Sequence, residues 1–91
     1  MKKLKLTGQF KKDLKRYKHQ KTKIDKLEVV LGYLVNGTEI PAVYNPHFLR
    51  GKYKGYLECH VESDLLLIWL DKETDVITLV RFGSHAELFG L

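Results

Sequence analysis

Three of the four histidines of this 91-residue chain lie in its second half, together with an acid and an arginine. They are His47, His60 and His85; Asp64 follows His60 by four positions, and Arg81 precedes His85 by four. Two imidazoles can divide the roles of proton acceptor and donor near neutral pH, and a guanidinium can hold a phosphate through two parallel hydrogen bonds. These residue types are the components that a small ribonuclease needs.

The expected strand ends predict where these side chains meet. His60 and Asp64 flank a tight turn, which favours a pair in which the carboxylate orients the imidazole. Arg81 ends the following strand and His85 comes one turn later, so we expect both at the same sheet edge, with His47 approaching from a neighbouring short strand. RNA cleavage without a metal needs a base for the 2′-hydroxyl, an acid for the leaving oxygen and a cation for the phosphate.

Other aromatic and sulfur-containing residues divide between core and surface. Phe89 lies beyond the last strand, where its ring can stack on a base, whereas Trp69 and Phe82 are expected in the core. Cys59 is the only cysteine, which excludes an internal disulfide and indicates a buried thiol in a reducing compartment. His19 lies among lysines and is expected on the surface.

Two alternatives to acid–base catalysis remain open. A mononuclear metal site is chemically possible with four ligands, namely His47, His60, Asp64 and His85, although their spacing matches no compact ligand motif. The chain can also be a noncatalytic nucleic-acid-binding module in which the histidines are incidental and Asp64 only closes its turn.

Positive charge is concentrated at the beginning of the chain. Residues 1–26 carry eleven Lys and Arg against two acids, a charge of +9, and the other 65 residues carry five against nine, a charge of −4. Such a one-sided basic surface attracts polyanions, with nucleic acid the first partner class to consider. No apolar run approaches the ~20 residues of a membrane span, and no secretory signal is recognisable, so a cytoplasmic location is expected.

Hydrophobic periodicity predicts a strand, two helices and four further strands. The expected elements are strand 3–6, helix 8–19, helix 22–36 closed by Gly37, strands 48–50, 53–61, 65–70 and 76–82, a turn at 71–74, and a final helical turn opened by a capping box at 84–87. This order predicts a single α+β domain over residues 1–91, with two helices packed on one face of a twisted, mainly antiparallel sheet.

Several blocks of sequence resemble the YafQ branch of the RelE superfamily of bacterial toxins. The blocks are TGQFKKD at 7–13, PAVYNPH at 41–47, GKYKGY at 51–56, ECHV at 58–61 with Asp64, and RFGSHAELF at 81–89. The last block is the most specific, and the resemblance covers nearly the whole chain. It departs from the branch at Ser63, where proline is frequent, at Leu57, where arginine is frequent, and at Leu65; none of these removes a proposed catalytic group.

The resemblance implies a ribosome-dependent endoribonuclease that cleaves mRNA in the ribosomal A site. The matching active-site positions are His47, His60, Asp64, Arg81, His85 and Phe89. It also implies an acidic antitoxin as partner, and binding of operator DNA only through the toxin–antitoxin complex. A noncatalytic member of the family that binds only its antitoxin is part of the noncatalytic alternative.

On this interpretation no cofactor or metal is needed, and attack by the 2′-hydroxyl leaves a 2′,3′-cyclic phosphate or its opened 3′-phosphate. His60, oriented by Asp64, or His47 is the base and His85 the acid, although His60 and His85 can exchange roles. Arg81 holds the phosphate and Phe89 stacks on a base. The residues expected to bind RNA are Lys11, Lys12, Lys15, Arg16, Lys18, Arg50, Lys52 and Lys54.

Overall fold

Five strands and three helices form the part of the chain that the computed structural model describes, residues 1–72 and 75–90. The strands are β1 (Lys3–Leu6), β2 (His47–Phe48), β3 (Leu57–Glu62), β4 (Leu65–Leu70) and β5 (Val76–Gly83). The helices are α1 (Gly8–Tyr17), α2 (Lys21–Asn36) and α3 (His85–Phe89). Short 3-10 turns occupy Ala42–Tyr44 and Gly51–Tyr53.

One sheet contains all five strands in the order β1-β5-β4-β3-β2. β1 runs parallel to β5, and the other neighbouring pairs are antiparallel. The predicted α+β class with a mainly antiparallel sheet is therefore confirmed. No helix among the described residues is long and apolar enough to cross a membrane. The turn expected at 71–74 lies partly outside the described residues, which omit positions 73 and 74.

Local capping signals fix the ends of the helices. The Thr7 hydroxyl accepts a hydrogen bond from the Phe10 amide at the start of α1, and Gly37, at φ 67°, closes α2 in a left-handed conformation. The Ser84 side chain and Glu87 form the predicted capping box at the start of α3. Helix α1 ends at Tyr17, two residues earlier than expected.

Two predicted strand boundaries are wrong. The short strand expected at 48–50 is His47–Phe48, and the strand expected from Tyr53 begins only at Leu57. Residues 51–53 form a 3-10 turn, and Gly55 follows at φ 92°, a backbone conformation that cannot continue a strand. The apparent alternation at 53–56 therefore belongs to a loop, which places Tyr53 beside the C-terminal helix.

Apolar side chains pack on both faces of the sheet. The larger cluster lies under α1 and α2 and includes Phe10, Val30, Trp69 and Phe82, which confirms Trp69 and Phe82 as core residues. A smaller cluster on the other face contains Leu66, Ile68 and Leu88, with Leu49, Tyr56 and Val80 packed against it. β4 is thus covered on both sides, as its uninterrupted apolar sequence predicted.

The sheet register brings the functional side chains into two adjacent rows. Arg81, Ile68, Glu58 and His47 are successive cross-strand partners from β5 to β2. The next row contains Gly83, Leu66 and His60. Directly paired residues of antiparallel strands project from the same face. His47, Glu58 and His60 therefore share the face of the smaller cluster, and α3 follows directly from the end of β5.

Candidate active site

A carboxylate–imidazole pair joins the β3–β4 turn to the start of α3. Asp64 Oδ1 lies 2.6 Å from Nδ1 of His85 and accepts a hydrogen bond from the His85 backbone amide at 2.9 Å. The hydrogen bond from the His85 amide has the larger effect on Asp64 and the contact with the His85 ring the second largest, and both lower the pKa of Asp64 below its ordinary value. An ionised Asp64 keeps the proton of His85 on Nδ1, so that exchange of a proton with a substrate runs through Nε2.

The predicted pairing of Asp64 with His60 is wrong. His60 is paired across the strands with Leu66, and the register shifts between His60 and Glu62, so that Asp64 lies in the turn itself rather than opposite His60. From there its carboxylate reaches the first amide of α3, where free N–H groups attract an anion.

The three histidine rings nevertheless form a continuous row. The ring centroid of His60 lies 5.8 Å from that of His85 and 6.1 Å from that of His47, and both contacts are edge-on. His60 is therefore the central ring, next to the oriented imidazole of His85. The expected convergence of these three side chains at one end of the sheet is present.

His47 is held by two oxygen atoms. Its Nδ1 lies 2.7 Å from the carbonyl oxygen of Asn45, and its Nε2 lies 3.1 Å from Oε1 of Glu58. Both ring nitrogens are therefore already engaged by oxygen atoms of the protein, which disfavours the expectation that His47 is the base.

Glu58 was not predicted as a site residue. It is 4% exposed, and its Oε2 has no hydrogen-bond partner among the described residues. The sequence placed it on the polar face of β3, and its position two residues before His60 was the signal that it faces the histidines.

Arg81 is bound along one edge by a buried acid. Asp13 is fully buried in α1; its Oδ2 accepts from Nε of Arg81 at 2.9 Å, and its Oδ1 accepts from Nη2 at 3.3 Å. This pairing raises the pKa of the Arg81 guanidinium against the opposing effect of burial, and the Tyr53 side chain raises it further. Asp13 was missed because it lies in a lysine-rich segment and was counted only as a charge. Its spacing from Phe10 and Tyr17, which places it on the apolar stripe of α1, was the available signal.

Aromatic rings extend from His85 along the surface. Phe89, 36% exposed, lies with its ring centroid 6.5 Å from that of His85. The Tyr53 ring meets Phe89 edge-on at 5.9 Å and Tyr56 at 5.8 Å, and Nζ of Lys52 lies 5.6 Å from the centre of the Tyr53 ring. Tyr53 is a third residue near the site, after Glu58 and Asp13, that the sequence did not indicate, because the mistaken strand assignment concealed its position.

The position of α3 depends on Glu87. Its carboxylate accepts hydrogen bonds from the Tyr17 hydroxyl and from the Ser84 amide, and it lies 3.4 Å from Nη1 of Arg16. Burial, and next the bond to Glu87, raise the pKa of Tyr17 to about 12. A Cβ on Gly83 would lie 2.8 Å from Oε1 of Glu87, so a larger residue there would push this carboxylate away from its partners.

The residues expected to bind RNA lie on two exposed segments beside this site. One is the outer face of α1, with Lys11, Lys12, Lys15 and Arg16, followed by Lys18 just after the helix. The other is the loop between β2 and β3, with Arg50, Lys52 and Lys54. Arg16 contacts Glu87, and Tyr53, next to Lys52, contacts Phe89, so each segment touches the part of the chain that carries His85 or Phe89.

The described residues contain no group of three or more His, Cys, Asp or Glu side chains arranged to hold a metal ion. His47, His60, Asp64 and His85, the ligands of the metal alternative, are a row of pairwise neighbours. Cys59 is fully buried, as expected, and burial, followed by the charge of Glu58, raises the pKa of its thiol to about 12. His19 is exposed, as expected.

Comparison with known proteins identifies relatives along the whole length of the chain. A sequence model described as "Bacterial toxin of type II toxin-antitoxin system, YafQ" matches residues 2–90. The mRNA interferase toxin YafQ of Escherichia coli K12 is 42% identical over 86 residues, which cover 92% of this chain and 91% of that protein.

Solved structures agree with the fold. The crystal structure of the E. coli DinJ-YafQ complex superimposes with a TM-score of 0.86 and 35% identity, covering 99% of this chain and 100% of the matched chain. A metal-bound toxin from Helicobacter pylori superimposes with a TM-score of 0.86 and 36% identity, covering 98% and 100%.

Proposed function

The chain belongs to the YafQ family of bacterial type II toxins, and from that membership and the site geometry we propose that it is a ribosome-dependent mRNA endonuclease. YafQ of E. coli is named an mRNA interferase toxin, and E. coli YafQ is also seen in a crystal structure of its complex with DinJ. The proposal includes an antitoxin partner, a cytoplasmic location, and binding of operator DNA only through the toxin–antitoxin complex.

The pairing of Asp64 with His85 is the observation that carries the proposal. Asp64 orients His85 so that Nε2 is the atom available for proton transfer, and the His60 ring lies beside it. Two adjacent imidazoles, one of them oriented by a carboxylate, can supply the acid and the base of a metal-independent phosphodiester cleavage.

In the proposed reaction His60 accepts the proton of the substrate 2′-hydroxyl. The 2′-oxygen bonds to phosphorus, the bond from phosphorus to the 5′-oxygen breaks, and the leaving oxygen takes a proton from Nε2 of His85. The products are a 2′,3′-cyclic phosphate and a 5′-hydroxyl, and water can open the cyclic ester to a 3′-phosphate. Arg81 offsets the charge that grows on the phosphate, and Phe89 stacks on a neighbouring base.

The exposed basic segments supply the contacts to ribosomal RNA. Changing Lys11, Lys15 and Lys18 to glutamate should weaken ribosome binding and flatten its salt dependence, because fewer counterions are released. The matched control changes Lys3, Lys5 and Lys72, which are also exposed. Equal losses in both triple variants would show that only net charge matters; unchanged binding in both would remove RNA binding from the α1 face.

The principal test is induced expression with primer-extension mapping of cellular mRNA. The wild-type chain and His19→Ala, which removes an exposed imidazole on the same molecule, should arrest growth and cleave mRNA. His85→Ala should do neither while it remains folded and continues to bind the antitoxin. A folded His85→Ala variant with full cleavage would refute the assignment. Wild-type protein that binds its antitoxin but cleaves nothing would favour the noncatalytic alternative.

A chelator experiment addresses the metal alternative. The toxin is incubated with a strong chelator, separated from it, and assayed on intact ribosomes, because ribosomes themselves need magnesium. Retained activity is expected, since acid, base and cation are all side chains. Activity that is lost and returns only with a transition metal would favour the metal site, and elemental analysis of the purified protein provides a second measurement.

A further inference from the structure

The far end of β5 has one edge without a neighbouring strand. β1 ends at Leu6, opposite Leu79, whereas β5 continues to Gly83, and an irregularity in its pairing with β4 separates Leu79 from Arg81. Helix α1 lies against this edge, and the Asp13 carboxylate there accepts the hydrogen bond of the Phe82 amide at 2.9 Å. The Asp13 carboxylate thus accepts a backbone hydrogen bond that a neighbouring strand would otherwise accept.

Asp13 is engaged by four donors at once. Besides the Phe82 amide, it accepts from Nε and Nη2 of Arg81 and, at 3.2 Å, from Nε2 of Gln9. A fully buried carboxylate is expensive to desolvate, and a well-packed apolar residue often gives equal or greater stability at such a position. Stability alone therefore does not account for an acid at this position, which suggests that it serves Arg81.

The contacts with Asp13 fix the plane of the Arg81 guanidinium. Nε and Nη2 face Asp13, which leaves Nη1 on the opposite edge. On the site side the guanidinium adjoins Tyr53, whose ring contacts Phe89, and the Phe89 ring lies against His85. The open edge of Arg81 is thereby connected to the row of histidines through two aromatic rings.

We propose that Asp13 is a positioning residue that holds Arg81 so that the guanidinium edge turned away from Asp13 faces the scissile phosphate. This inference rests on the proposed endonuclease function. Asp13 touches no substrate; it acts by fixing the orientation of a group that does. A bidentate contact to a buried partner provides such fixation, and a misplacement of about 1 Å costs on the order of 100-fold in rate.

The test is single-turnover cleavage of ribosome-bound mRNA, with ribosome affinity measured separately. Asp13→Asn, nearly isosteric, should lower the cleavage rate by about 100-fold and leave affinity within a factor of about 3. The double variant with Arg81→Ala should be no slower than Arg81→Ala alone, because nothing is left to orient. Asp25→Asn, an exposed acid that pairs with Lys21 on α2, is the matched control and should match the wild type.

A second variant separates orientation from charge. Arg81→Lys keeps a cation next to Asp13 but loses the planar fork, and its rate should fall about as far as that of Asp13→Asn. The exchange rate of the Arg81 Nε proton, measured by NMR in the free toxin, should be slow in wild type and fast in Asp13→Asn.

Three results would overturn the inference: additive rate losses in the double variant, a rate loss in Asp13→Asn no larger than its unfolded fraction, or full activity in Arg81→Lys. Wild-type toxin that cleaves nothing would instead refute the proposed function itself. The two failures are thus distinguishable.

Discussion

Replacing Glu87 with alanine should loosen α3 from the rest of the domain. The five residues of α3 are too few to form a stable helix alone, so its position depends on contacts with α1 and β5. Glu87 supplies most of the polar ones, through the Tyr17 hydroxyl, the Ser84 amide and the Arg16 guanidinium. Because α3 begins with His85, losing the contacts of Glu87 should displace His85 in the candidate site as well as lower the free energy of unfolding.

The structure allows the free-energy cost to be estimated. Losing the carboxylate half of the capping box costs about 0.5 to 1 kcal/mol. The Tyr17 hydroxyl, on a side chain only 5% exposed, loses its partner at about 1 to 2 kcal/mol. The contact with Arg16, whose side chain is 48% exposed, adds no more than about 0.5 kcal/mol. The total is about 1.5 to 3.5 kcal/mol, which lowers the Tm of a domain of this size by roughly 6 to 28 °C.

Denaturant and thermal unfolding followed by circular dichroism measure this effect. Glu28→Ala, an exposed acid on α2, is the control and should change the free energy of unfolding by less than about 0.5 kcal/mol. Adding Tyr17→Phe to Glu87→Ala should recover about 1 kcal/mol, because the orphaned hydroxyl is removed. The reasoning fails if Glu87→Ala is as stable as the control, or if Tyr17→Phe recovers nothing.

Three further predictions concern titration and coupling. The pKa of Tyr17 is raised from 10.0 to about 12, so stability should hold below pH 10 and fall by roughly 2 to 3 kcal/mol as the pH rises through 12; Tyr17→Phe should lack this loss in urea titrations. Burial raises the pKa of Cys59 to about 12, so thiol labelling at neutral pH should require unfolding and follow the denaturation curve; rapid labelling of the native protein would contradict this. In mRNA cleavage, Asp64→Ala should add nothing to His85→Ala but should add to His60→Ala; the reverse pattern would restore the pairing first expected from the sequence.

The elements that the sequence predicted correctly are those specified by neighbouring residues. Thr7 caps α1, Gly37 closes α2, and Ser84 with Glu87 opens α3, and each signal acts within a few positions of the chain. The parallel pairing of β1 with β5 has no such signal, because Leu6 and Leu79 are far apart in sequence. Only the folded chain specifies which edge of the sheet β1 occupies.

Within the candidate site, too, features set by nearby residues were predictable, and contacts between residues far apart in sequence were not. The residue types and the convergence of the three histidines were predictable, because strand ends and turns place them at one end of the sheet. The partner of Asp64 could not be predicted. Its spacing in the sequence favoured His60, four positions away, whereas in the fold His85 offers Asp64 both a backbone amide and a ring nitrogen. Asp13 and Glu58 were missed because charged residues are expected at the surface, whereas the burial of these two depends on tertiary packing.

The placement of the acids explains how a site containing several carboxylates can accept a polyanion. Each acid in or beside the site is engaged by a cation, an imidazole or amide groups, through Asp13 with Arg81, Glu58 with His47, Asp64 with His85, and Glu87 with Arg16. Paired carboxylates repel phosphate less than free ones, and they orient the groups that act on it. The lysines of α1 and of the β2–β3 loop, by contrast, project into solvent, where they can meet a phosphate backbone. Under the proposed function, these paired acids therefore position the catalytic groups, and the exposed lysines attract the substrate.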